Sequence, residues 1–228
     1  MSLYLVLNAV IIAVPLVLTF APRVYFFRKI KSLAFSIAVV SGLFVLWDVI
    51  ASWRGDWIFN EKYIGGIGLL GLPLEEILFF ITVPYSCLFL YQTFRTYIKQ
   101  KPFPYNKYAY GILAILCLSG ALVFIERAYT ATVLIVSATV FVSAMFCFKD
   151  IFASNLYWLY IIACTVLFAL FNHVLTSLPV VIYSKNAITG LRIASIPIED
   201  FLYNFSLLSF YLIFYHFAEK KWGRSALQ

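Results

Sequence analysis

Glu75 and Glu76 follow Pro73-Leu74, and Glu199 and Asp200 follow Pro197-Ile198, so the chain carries two adjacent-acid motifs 124 residues apart. Positioned carboxyls do proton chemistry: a protonated member gives a proton and an ionised member takes one. Carboxyls crowded together without water divide into those two forms, because like charges in a low dielectric do not all ionise. Asp48 and Asn172 stand at the same 124-residue offset and supply a second polar layer, which His173 joins. An aspartate beside Trp47 in an apolar run is poorly explained as packing, since a buried carboxylate without partners is costly. Asn172 reads equally as a tie between helices, and His173 as an interfacial side chain or a base. Phe79, Phe80, Tyr203 and Phe205 lie about one turn beyond the acids, where ring faces stabilise a carbocation.

A simpler reading is capping. Proline at the first helical position with acids in the first turn is a stable helix start, because the acids complement the helix dipole. The residues ahead of the motifs argue against a water-facing end, being Gly-Leu-Leu-Gly-Leu in one case and Ile-Ala-Ser-Ile in the other. Acids placed below the water line face a cavity or one another and mark functional sites. Neighbouring helical residues point about 100° apart, so one member of each pair is expected to face the cavity while the other supports it.

The elements that must position these groups follow from composition. The chain is 64% hydrophobic, 19% aromatic and 12% charged, which leaves too few polar groups to cover a water-soluble globule. Spans of roughly 20 apolar residues cross a bilayer, and seven are drawn, near 3–20, 33–53, 73–94, 108–125, 129–148, 155–175 and 197–217. The offset of 124 holds without a gap at Ile58 and Ile182, Ile64 and Ile188, Gly66 and Gly190, Leu78 and Leu202, and Tyr91 and Tyr215, so the chain is an internal duplication. The predicted fold class is an all-α integral membrane protein of seven transmembrane helices. Two parallel three-helix repeats are joined by a linker helix (3+1+3) and related by an axis along the membrane normal. The segments are 1–107, 108–128 and 129–228, within one integrated domain.

Basic residues set the orientation. The loops after the first, third and fifth spans and the tail after the seventh hold Arg23, Arg28, Lys29, Lys31, Arg95, Lys99, Lys101, Lys107, Lys149, Lys220, Lys221 and Arg224. That is twelve of the seventeen basic residues, which places those loops and the C-terminus in the cytoplasm and the N-terminus and acids outside. The first span lacks a positive flank and a small-residue cleavage site, and reads as a retained helix. Cys87, Cys117, Cys147 and Cys164 fall inside spans at no metal-ligand spacing, so neither a disulfide nor a metal is expected. Gly66-Ile67-Gly68-Leu69-Leu70-Gly71 satisfies G-x-G-x-x-G, but with no βαβ unit around it the glycines read as close packing of an outer loop.

The motifs together resemble a family. Trp47-Asp48, Trp57, Phe59, Gly66, Gly-Leu-Pro-Leu-Glu-Glu at 71–76 and Phe79-Phe80 look like the first half of the small membrane-embedded, flavin-independent lycopene cyclases. Phe171-Asn172, Leu175-Thr176, Pro179-Val180-Val181, Tyr183, Gly190, Arg192-Ile193 and Pro197-Ile198-Glu199-Asp200-Phe201 look like the second half. Trp47 departs from the phenylalanine that the resemblance leads one to expect. The resemblance implies a fused two-repeat lycopene β-cyclase of the cell membrane. It would convert lycopene to γ-carotene and then β-carotene within the bilayer, with no net redox change and no cofactor. Glu75, Glu76, Glu199 and Asp200 are the expected acid–base set. Asp48, Asn172, His173, Phe79, Phe80, Tyr203 and Phe205 are the expected supporting and substrate-binding layer. No nucleic-acid partner is expected, and a homo-oligomer is left open.

Competing readings are an ε-ring or longer-carotenoid cyclase, a carotenoid hydratase, and a 3+1+3 small-solute transporter. A transporter gathers polar groups at midplane, whereas here they gather at the outer end. A retinal-binding pump needs a lysine in the seventh span, and residues 197–217 contain none.

Overall fold

The computed structural model describes residues 2–222, so Arg224 lies outside the described residues. Among the described residues seven helices overlap the spans drawn from the sequence: α1 (Leu3–Leu18), α2 (Ile30–Arg54), α3 (Leu74–Tyr97), α4 (Lys107–Val123), α5 (Ala128–Phe146), α7 (Asn155–Ser177) and α8 (Ile198–Trp222), with a single turn, α6 (Lys149–Phe152), before α7. Five of them, counting α2 with the 3₁₀ turn Phe26–Lys29 that leads into it, are long and apolar enough to cross a membrane. The remaining two, α1 and α4, are shorter apolar helices.

Helix α1 packs on α3, and α5 packs on α8 and α4. Helices α3 and α8 are further covered by α2 and α7, so the deepest core lies among α3, α7 and α8, where Leu88, Tyr160, Tyr211, Leu212 and Tyr215 are fully buried. Val17, Leu122 and Val123 project from the outside of the bundle, as residues that meet lipid do.

Two prolines interrupt helices without orphaning backbone. A helical proline removes the N–H that would bond the carbonyl four residues earlier. Pro84 in α3 thus frees the Phe80 carbonyl, which accepts instead from Ser41 Oγ at 2.6 Å. Pro15 in α1 frees the Ile11 carbonyl, and Ser86 Oγ donates to it at 3.0 Å. In lipid a neighbouring hydroxyl is the available replacement.

The expectation of an all-α chain needs correction, because six short strands shape the end that carries the acids. β2 (Gly68–Leu69) and β3 (Leu72–Pro73) form a hairpin ahead of α3, and β5 (Arg192–Ile193) and β6 (Ile196–Pro197) form its counterpart ahead of α8. Pro73 is therefore the extended N-cap of α3, and Pro197 ends β6, so neither is the first helical residue. Leu70 and Ala194, 124 residues apart, both take left-handed φ values of 56° and 54° at the hairpin turns.

Strands β1 (Trp57–Phe59) and β4 (Val181–Tyr183) pair antiparallel with Ile58 opposite Ile182. Those two residues are equivalent in the duplication, and an antiparallel ladder centred on equivalent residues has a local twofold axis through that pair.

Candidate active site

Each hairpin hands its helix a set of donors. The glycine-rich loop bends at Gly66 (φ 76°) and Gly71 (φ 88°), conformations glycine adopts without steric cost. Its Gly65 N–H then points at the Glu75 carboxylate, with N···Oε1 2.7 Å. Ser2 Oγ donates to the same oxygen at 2.5 Å. In the second half Glu199 Oε1 accepts from the Thr189 N–H at 2.6 Å, the Thr189 hydroxyl at 2.8 Å and Thr130 Oγ1 at 2.7 Å. Both glutamates are buried. They tie the loop, the first helix and the start of the following helix together.

The second acids point elsewhere. Glu76 Oε2 accepts from the Tyr4 phenol at 2.6 Å. Asp200 accepts three hydrogen bonds: Tyr129 at 2.7 Å on Oδ1, and Asn172 Nδ2 and Tyr183 each at 2.9 Å on Oδ2. Burial, and then the charge of Asp200, hold the Tyr183 phenol well above its ordinary range, so it remains a donor. Glu76, Asp200 and Asp48 line one cavity of about 70 Å³ under the β1–β4 ladder, with Trp57, Tyr183 and Tyr203 among the aromatic residues around it. Asp48 is 5% exposed, and among the described residues its Oδ2 has no hydrogen-bond partner.

The structure thus brings Asp48, Glu76, Asn172, Asp200, Phe79 and Tyr203 together. Five other expected residues lie apart. His173 is exposed and its Nδ1 meets Ser195 Oγ at 2.7 Å on the β5–β6 side, because Asn172 already takes the inward direction of α7. Phe80 is buried in the main core, where its carbonyl serves the Pro84 break. Phe205 packs tilted against Phe141 of α5. Glu75 and Glu199 stand behind the cavity wall, held by their loops. Sequence reading missed Tyr4 and Tyr129. They donate to the equivalent acids Glu76 and Asp200 yet stand 125 residues apart, so the gap-free offset of 124 pairs Tyr4 with Ala128.

The carboxyl cavity adjoins a larger apolar groove of about 400 Å³, the two sharing Phe79, Phe168, Asn172, Leu175 and Tyr203 as lining. A set of acids beside an apolar groove suits a hydrocarbon substrate. The family model for lycopene cyclase matches residues 1–94 and 126–218.

The chain belongs to the lycopene cyclase family. The matched parts are the two repeated segments, and the stretch between them holds all of α4. No curated protein and no solved structure matches the chain. Membership supports carotenoid cyclisation in a membrane as the general activity of this lycopene cyclase family member.

Proposed function

We propose that this family member is a lycopene β-cyclase, converting the ψ-ends of lycopene to β-ionone rings by acid–base catalysis. The observation that carries the proposal is the convergence of Asp48, Glu76 and Asp200 on one cavity that shares a wall with an apolar groove. In our reading the chain sits in the cell membrane as 3+1+3 helices, residues 1–107, 108–128 and 129–228, with the acids on the outer side and the C-terminus in the cytoplasm. The bias of basic residues and the local twofold axis support that arrangement.

The reaction adds a proton to C2 of the terminal alkene, leaving a cation at C1. The C5=C6 π electrons attack C1, closing the C1–C6 bond and moving the cation to C5. Loss of the C6 proton restores C5=C6 in the ring. One proton enters and one leaves, so the step is an isomerisation and electrons balance. Asp48 and Glu76, which line the same cavity, share the proton that is given. Asp200 is the ionised member, since an anion uses the three donors that Tyr129, Tyr183 and Asn172 aim at it. The faces of Tyr203, Phe79 and Trp57 border the place where the cation forms.

Expression in a lycopene-accumulating bacterium, followed by chromatography of the pigments, tests this reading. Yellow bicyclic product with a β-ring spectrum is expected. Unchanged red lycopene, with the protein in the membrane fraction, would sink it, and an ε-ring spectrum would reassign the site of proton loss.

A further inference from the structure

The groove lies between the two halves of the molecule, and the duplication gives it an equivalent place where the same groove does not form in the same way. Its walls are α1, with Val10 and Val14, and α7, with Leu167 and Phe171, and its floor comes from α3 and α8. On α3 the floor residues include Ser86, Cys87 and Leu90, two of them small. Their equivalents on α8, at the offset of 124, are Phe210, Tyr211 and Phe214. The α7 residues Phe168 and Phe171 correspond to Phe44 and Trp47 of α2. Where the second groove would run, these large rings pack on one another. Phe44 meets Trp47 at 5.5 Å between centroids, Tyr203 at 5.4 Å and Phe210 at 6.3 Å, and Tyr211 is fully buried. Helix α2 also packs closely on α8, which closes the equivalent place.

We infer that the groove between α1 and α7 is the single seat for an extended apolar polyene, so that each binding event delivers one polyene end to the acids. The inference rests on the β-cyclase reading for what happens at the acids, but the seat itself stands on the groove. Val14 and Leu167, 63% and 45% exposed, edge the groove where the bundle meets lipid, so the polyene slides in sideways from the bilayer. Asn172 stands at the junction, its Nδ2 on Asp200 and its edge on the groove, and marks where the polyene end stops. The second end finds its counterpart seat filled by Phe44, Trp47, Phe210 and Tyr211. A singly cyclised molecule therefore leaves, turns over in the bilayer and returns before its other end reacts.

Two arms test this with the full chain in lipid vesicles. In the first, isotopically labelled lycopene is allowed to form monocyclic product and is then chased with a large excess of unlabelled lycopene. Release predicts that label stays in the monocyclic pool while new bicyclic product is unlabelled; labelled bicyclic product forming undiluted by the chase overturns the inference. In the second, Cys87→Tyr and Leu90→Phe place ring volume in the groove, the former using the second half's own residue. Lycopene binding, read as quenching of tryptophan fluorescence, is expected to weaken by about tenfold or more in each. Unchanged binding in both correctly folded variants overturns the seat. The first arm uses the unaltered chain, so it decides even where a substitution unfolds the protein. A wild-type chain that binds lycopene but makes no ring, with binding lost in both variants, would refute the β-cyclase reading and leave the seat intact.

Discussion

Adjacent acids in this chain have different neighbours. Glu76 and Asp200 face the cavity, while Glu75 and Glu199 each pin a loop through a backbone N–H. Glu76→Gln and Asp200→Asn are each expected to lower cyclisation by about 100-fold or more while the protein remains folded, since positioned acids and bases contribute ~10²- to 10⁴-fold. Pigment analysis beside a thermal melt of the purified variants checks both halves of that statement. Glu75→Gln and Glu199→Gln are expected to show the reverse balance, losing about 1–3 kcal/mol of stability because buried donors lose their anion, with turnover reduced much less. Comparable losses of turnover at all four positions would contradict the division. The acid motifs, Asp48 and Asn172 were legible from residue type and the offset of 124. Tyr4 and Tyr129 were not, because a one-residue change of offset hides their equivalence. His173 was misplaced because adjacent helical residues point apart, and Asn172 holds the inward position.

The helices were the most legible elements, since runs of apolar residues long enough to cross a bilayer leave little choice of structure. The strands were not, being two or three residues long and built from loop segments whose pairing partners are remote or depend on a turn. The glycine-rich loop shows the point: its sequence satisfies a nucleotide-binding pattern, yet its geometry is that of a hairpin lying against a helix start. A Cβ at Gly68 would stand 2.8 Å from the Leu72 carbonyl oxygen, so there the absence of a side chain is a requirement of strand approach. Gly68→Ala is expected to cost about 1–3 kcal/mol, the usual scale of overpacking. Turnover should fall much less, as for Glu75→Gln, because what the loop delivers is the Gly65 N–H to Glu75. A thermal melt indistinguishable from wild type would show that the hairpin tolerates the shift.

At the scale of the whole molecule, the two ends of α3 and α8 are built oppositely. Equivalent positions 76 and 200 carry two acids at one end, whereas positions 95 and 219 carry Arg95 and Glu219, which pair at 2.7 Å at the other. Lys29 joins the same glutamate at 2.8 Å, and Tyr91 meets His216 Nε2 at 2.7 Å beside it. The paired end holds α3, α8 and the start of α2 together far from the chemistry. Glu219→Gln is accordingly expected to lower stability by about 1–3 kcal/mol, leaving two cations without their shared anion, and to leave the ratio of monocyclic to bicyclic product unchanged. Denaturation monitored in detergent, with pigment analysis alongside, separates the two effects. The donors around the four acids have one further property, which is their order along the chain. Ser2, Tyr4 and Gly65 all precede Glu75 and Glu76, and Tyr129, Thr130, Asn172, Tyr183 and Thr189 all precede Glu199 and Asp200. A ribosome reads from the N-terminus, so each carboxyl pair is synthesised after every group that shields it. The nascent chain never has to hold a charged helix start in the bilayer while waiting for a partner still to be translated.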